Sequence, residues 1–147
     1  MVRVFSVALS LLVAAYAAAA PMAPMHRRQT GDLDCNLARL KIVFDVAATQ
    51  KLVSQINSTD LATASAVAVA QAGLQSVNSA IQDILAAVFA GQTAPADSRD
   101  QVSQGLNTAN SALNLIKDPS LNATVTEAQK RLLTAGADGD KVVAECK

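Results

Sequence analysis

The chain contains no tryptophan, one histidine (His26) and one tyrosine (Tyr16), and aromatic residues make up 3% of its 147 residues. Charge is also sparse, with 12 basic and 12 acidic residues. These gaps exclude most of the familiar chemistries. A Ser–His or Cys–His nucleophile needs a histidine in the folded body, and none follows position 26. The lysine-based S-x-x-K alternative is missing, as are H-E-x-x-H and CxxC zinc patterns and the G-x-x-x-x-G-K-[ST] phosphate loop. A glycosidase needs two carboxylates across a cleft of sugar-stacking rings. Acids do pair at Asp97 and Asp100 and at Asp138 and Asp140, but the rings are absent. Asp97 and Asp100 suit a helix N-terminus, where acids are favoured. "ADGDK" is a fragment of a calcium loop without the downstream bidentate glutamate. With no basic cluster and no aromatic platform, nucleic acid is a poor partner. The sequence reads as a non-enzyme with neither cofactor nor metal.

What is present begins with a leader. Arg3 supplies a positive n-region, Val4 to Tyr16 an apolar stretch, and Ala17 to Ala20 small residues for cleavage. This pattern predicts a secretory signal over residues 1–19, cut after Ala19 because Pro21 disfavours the next bond. Residues 20–28 form a short leader ending in the dibasic pair Arg27-Arg28, a second processing site, and residues 29–147 form a single domain. Removing Arg3, Arg27 and Arg28 turns the neutral chain mildly acidic, with the 12 acidic residues retained. Its only remaining rings are Phe44 and Phe89. No later apolar run reaches the roughly 18 residues of a membrane span. The expectation is an extracellular protein, secreted or held in the cell wall.

Cys35 and Cys146 are the only cysteines. In an oxidising compartment they are expected to pair.

The body reads as four helices. The first spans about 34–56, with Leu37, Leu40, Phe44 and Ala47 as its inward face and Asp32 or Asp34 as N-cap. "NSTD" stops it and caps the second. That helix runs from about 60 to 90 and places Val67, Ala70, Leu74, Val77, Ile81, Ile84 and Val88 in the alternating 3-4 spacing of a packed seam. Gly91 ends it. Pro95 is expected in the first turn of the third helix, which carries Val102, Leu106, Ala109, Leu113 and Ile116 at the same spacing. Pro119 stops that helix. The fourth carries Leu121, Val125, Ala128, Leu132 and Ala135, with Gly136 and Gly139 expected to kink or fray it.

Short connections predict an all-α, antiparallel up-down-up-down four-helix bundle, with room for an extra short helix. Such a bundle brings Cys35 to Cys146. Asn57 and Asn122 head two N-x-[ST] glycosylation sequons beside the turns at the other end. The seams are rich in alanine, so each contact buries little apolar area. Helix faces able to meet a lipid or an oil include Val67, Leu74, Val77, Ile81, Leu85, Phe89, Leu106 and Leu113, residues that a resting bundle keeps as core.

The leader, the Ala/Ser/Thr/Val-rich helical body, and the sections "CNLARLKIVFDVAATQKLVSQI" and "AIQDILAAVFAGQTAPADSRDQVSQGLNTANSALNLI" resemble the fungal hydrophobic surface-binding protein family, which includes cell wall galactomannoproteins. The likeness runs from about Cys35 to Cys146. It implies a secreted, non-enzymatic protein that binds hydrophobic surfaces and in some members recruits a secreted hydrolase such as a cutinase. It equally implies two alternatives, a fatty-acid carrier with its ligand inside the bundle and a structural cell-wall mannoprotein. A staple across the termini is expected to restrict opening, which favours the internal ligand over spreading.

Overall fold

Four helices run back and forth through a computed structural model that describes residues 33–146: α1 (Leu33–Ser54), α2 (Leu61–Phe89), α3 (Ala96–Leu113) and α4 (Asn122–Glu145). A single 3₁₀ turn, Pro119–Leu121, precedes α4, and no strand occurs among the described residues. The molecule is an antiparallel four-helix bundle whose first and last helices are joined by the Cys35–Cys146 disulfide, with Cα atoms 5.3 Å apart. The expected signal segment over residues 1–19, the expected processing pair Arg27-Arg28 and Asp32 lie outside the described residues.

Local chemistry sets the helix ends. The Asp60 carboxylate accepts the Thr63 N–H at 2.8 Å and caps α2. At the other end Gly91 takes φ 72°, a left-handed conformation that glycine adopts without a Cβ penalty. There the Gln92 N–H donates to the Ala87 carbonyl at 2.8 Å and the Gly91 N–H to that of Val88 at 3.0 Å, the paired bonds of a Schellman stop. Pro95 stands one residue earlier than expected, as the N-cap of α3, and Asp97 lies in the first turn, where the helix dipole favours a negative charge. Asp118 caps the 3₁₀ turn by accepting the Ser120 N–H at 2.9 Å.

α4 is continuous across Gly136 and Gly139, so the expected kink does not occur. Nothing lies within 4 Å of where either glycine's Cβ would be, and burial of Leu132, Ala135 and Asp138 outweighs the weak glycine propensity.

The four sides of the bundle are unequal. The backbones of α2 and α3 run close together over most of their shared length, and so do those of α1 and α4. α1 meets α2, and α3 meets α4, over much shorter stretches, and the backbones of the diagonal pairs stay further apart. The α2–α3 approach has a plain cause. A Cβ on Gly73 would sit 2.8 Å from the Gly105 carbonyl oxygen, and one on Gly105 would sit 2.7 Å from that of Gly73. Seven residues to either side, on the same helical lines, stand Ala66 and Ala80 on α2 and Ser98 and Ala112 on α3, all buried. The register that sets Gly73 against Gly105 sets Ala66 level with Ala112 and Ala80 level with Ser98. Small meets small at each step, so the axes close in. Val77 packs against Gly105 in this seam, while Leu74, Leu113, Val46 and Val53 belong to the common buried core that the two close pairs share.

α1 presents a different face inward from the one its sequence suggests. Its buried residues are Cys35, Ala38, Ile42, Asp45, Val46, Thr49 and Val53, whereas Leu37, Leu40, Phe44 and Ala47 are exposed. The inward face carries two polar groups that find partners. The Thr49 hydroxyl donates to the Asp45 carbonyl at 2.7 Å, and the Asp45 carboxylate accepts from Arg131 of α4 at 3.1 Å.

Candidate functional site

The outward residues of α1 form one line. Leu33, Leu37, Leu40 and Phe44 recur at four, three and four residues, a spacing that sets them on one side of the helix. Their exposures are 79%, 46%, 67% and 68%. Isolated exposed leucines are ordinary on protein surfaces, but a continuous apolar line is not. At 1.5 Å per residue the line is about 16 Å long. Val43 flanks it, and Lys41 and Lys51 are exposed beside it and beyond its end. The line faces away from the bundle because Cys35 must point inward to reach Cys146. Leu37 is two residues further on, about 200° around the helix.

The candidate contacts expected from sequence are distributed differently. Leu74, Val77, Leu106 and Leu113 are buried, and Val67 and Ile81 are half-buried against the core. Leu85 and Phe89 are exposed on the last turns of α2, Phe89 at 86%. Leu133 and Val143 of α4 are exposed as well. Asn57 lies in the α1–α2 connection and Asn122 opens α4, both exposed and both at the end opposite the disulfide.

Polar groups along the α1–α4 seam serve packing. Arg131 bridges Asp45 and, four residues back on its own helix, Glu127, each at 3.1 Å. Asp138 is buried and accepts from Lys141 at 2.9 Å, a bond that raises the lysine's pKa above its ordinary value. Asp60 and Asp118 sit in the two connections at the far end. Both are held below the usual carboxylate range, Asp60 by hydrogen bonds from Thr63 and Asp118 by those from Ser120. Among the described residues no group of His, Cys, Asp or Glu could hold a metal ion. No helix among them is long and apolar enough to cross a membrane.

Comparison with protein-family models, curated proteins and solved structures finds no match to this chain.

Proposed function

We propose that the protein is a secreted or wall-associated, non-enzymatic binder of hydrophobic surfaces and lipids, of the kind its resemblance to the fungal hydrophobic surface-binding family implies. The observation that carries this reading is the outward line Leu33, Leu37, Leu40 and Phe44 on a helix whose other face is already packed. Each such side chain gains about 1.5–3 kcal/mol on full transfer out of water, so an oil or wax offers the line what the bundle does not. Glycans at Asn57 and Asn122 would stand at the opposite end from Leu33 and leave the line clear. A protein held on a surface this way can also present its polar sides to a secreted hydrolase.

Four large side chains make too small a patch for a stable dimer, which needs about 800 Å² from each partner. An extended apolar phase needs no matching shape. A fatty acid threaded between α2 and α3 is disfavoured by the backbone contact at Gly73 and Gly105.

Depletion onto alkyl-coated beads tests the reading. The protein is expected to leave solution, with retention little changed by salt, because apolar contact is not screened. Retention that collapses in moderate salt would assign the binding to charge instead.

A further inference from the structure

The two close pairs are each closed at the same end. α2 and α3 are joined there by the connection 90–95, and α1 and α4 by the Cys35–Cys146 bond. Both chain crossings between the pairs, 55–60 and 114–121, lie at the opposite end. The disulfide therefore does not fasten one pair to the other. It reinforces α1 to α4 and leaves the bundle hinged at one end and unfastened at the other.

The side-chain bonds follow the same division. Gln101 of α3 donates to the Ser76 hydroxyl of α2 at 3.1 Å, and Arg131 of α4 donates to Asp45 of α1. The Gln129–Asn114 bond, at 2.6 Å, does cross between the pairs, and it lies beside the hinge connection 114–121. Toward the free end the buried residues are mostly small, among them Ala38, Ala80, Ser98 and Ala135, with Ile81, Val102 and Val142 half-buried against the core, and such apolar burial is non-directional.

We propose that, on a neutral lipid surface, the α1–α4 and α2–α3 pairs part about the connections 55–60 and 114–121 with the disulfide intact. Their inner faces, led by Leu74, Leu113, Val46 and Val53, are then laid on the lipid. The inference rests on the surface-binding reading above and gives its mechanism. In water the inner faces cover each other. Against an oil, the oil replaces the partner pair, and little apolar burial is lost. Within α2–α3 the seam gains nothing comparable from parting, because Gly73 and Gly105 meet backbone to backbone, and α1 and α4 stay held by the disulfide and the Asp45–Arg131 pair. The Leu33–Phe44 line, already outside, makes the first contact, and parting follows.

The test uses spin-label distances with and without a trioleoylglycerol emulsion. Asp100→Cys and Asp140→Cys place labels near the free end on different pairs. Ser79→Cys and Asp100→Cys place them within the α2–α3 pair. All three positions are exposed. On droplets the first distance is expected to grow by roughly 20 Å or more, given helices about 30 Å long, while the second stays fixed. Droplet-bound protein with both distances unchanged would overturn the parting and leave the surface-binding reading standing. Protein that does not bind the droplets at all would overturn both.

A film balance gives a second reading on the unaltered protein. Four helices side by side cover about twice the area of two stacked pairs, so the limiting area per molecule is expected to be about double that of a closed bundle. A closed-bundle area would overturn the proposal.

Discussion

Gly73 and Gly105 face each other across the α2–α3 seam, each standing where the other's backbone carbonyl leaves no room for a Cβ. This one contact, with the buried small residues Ala66, Ala80, Ser98 and Ala112 in line with it, lets the two axes lie close together.

Gly105→Ala should therefore destabilise the fold. The new methyl group would sit 2.6 Å from a Val77 methyl carbon and 2.7 Å from the Gly73 oxygen, and the backbone side of that clash cannot turn away. Overpacking of this kind costs about 1–3 kcal/mol, more than the roughly 1 kcal/mol that alanine returns in helix propensity. Gly136→Ala meets nothing within 4 Å and should raise stability by about 0.5–1 kcal/mol. Thermal melts of the two variants should shift in opposite directions.

How far the sequence could be read depended on the contrast between helix faces. In α3 and α4 one face is clearly the more apolar, Leu133 and Val143 apart, and Leu106, Ala109, Leu113, Val125, Ala128 and Leu132 are buried as their spacing predicts. In α1 both faces carry apolar residues, and the greasier one is outside. Its inner face holds Ala38, Thr49 and Asp45, and Asp45 is acceptable there only through Arg131, 86 positions away. No local pattern announces such a partner. Cys35 did hold the signal. Once it is paired to Cys146, the inner face of α1 is the one through Ala38, Ile42 and Thr49, and Leu37, Leu40 and Phe44 must point out. The small-residue lines of α2 and α3 were also present in the sequence, but Gly73 and Gly105 acquire meaning only in register.

The Asp45–Arg131 pair should respond unequally to its two deletions. Arg131→Met strands a carboxylate whose side chain is 12% exposed. Asp45→Asn leaves Arg131 paired with Glu127 and partly solvated. Stranding a buried charge is the costlier change, so denaturant titration should find Arg131→Met the less stable variant by about 1 kcal/mol or more, in line with hydrogen bonds to charged groups. Equal losses would show that Asp45 is well solvated.

Acid should weaken the hinge end. Asp60 and Asp118 titrate below their ordinary value of 3.8 in the folded chain. A lowered folded pKa contributes stability that is present above the unfolded value and is lost as pH falls through the folded one. Lys141 has the opposite sign. Its pKa is raised above 10.5, so its contribution is complete below that value and is lost as pH rises through the folded one. The melting temperature should hold a plateau between these limits and decline below about pH 4. In Asp60→Ala and Asp118→Ala the acid decline should be shallower.

The disulfide closes a loop of 111 residues in sequence separation. Replacing both Cys35 and Cys146 by serine should cost about 4–5 kcal/mol on the chain-entropy model and lower the melting temperature by more than about 10 °C. On that model the bond acts on the unfolded chain, so hydrogen exchange should speed up throughout, with extra fraying at the start of α1 and the end of α4, which it ties together. Unchanged relative protection at those two ends would contradict that placement.

The most direct test of surface binding is the initial rate at which protein leaves solution onto alkyl-coated beads, compared between the native chain and the variant Leu37→Gln, Leu40→Gln, Phe44→Gln. These side chains lie outside the buried core, so helical content and melting should be nearly unchanged. The rate is expected to fall at least about tenfold, the factor that 1.4 kcal/mol represents. An equal rate from an equally folded variant would contradict the assignment of the outward face of α1 as the surface that meets oil.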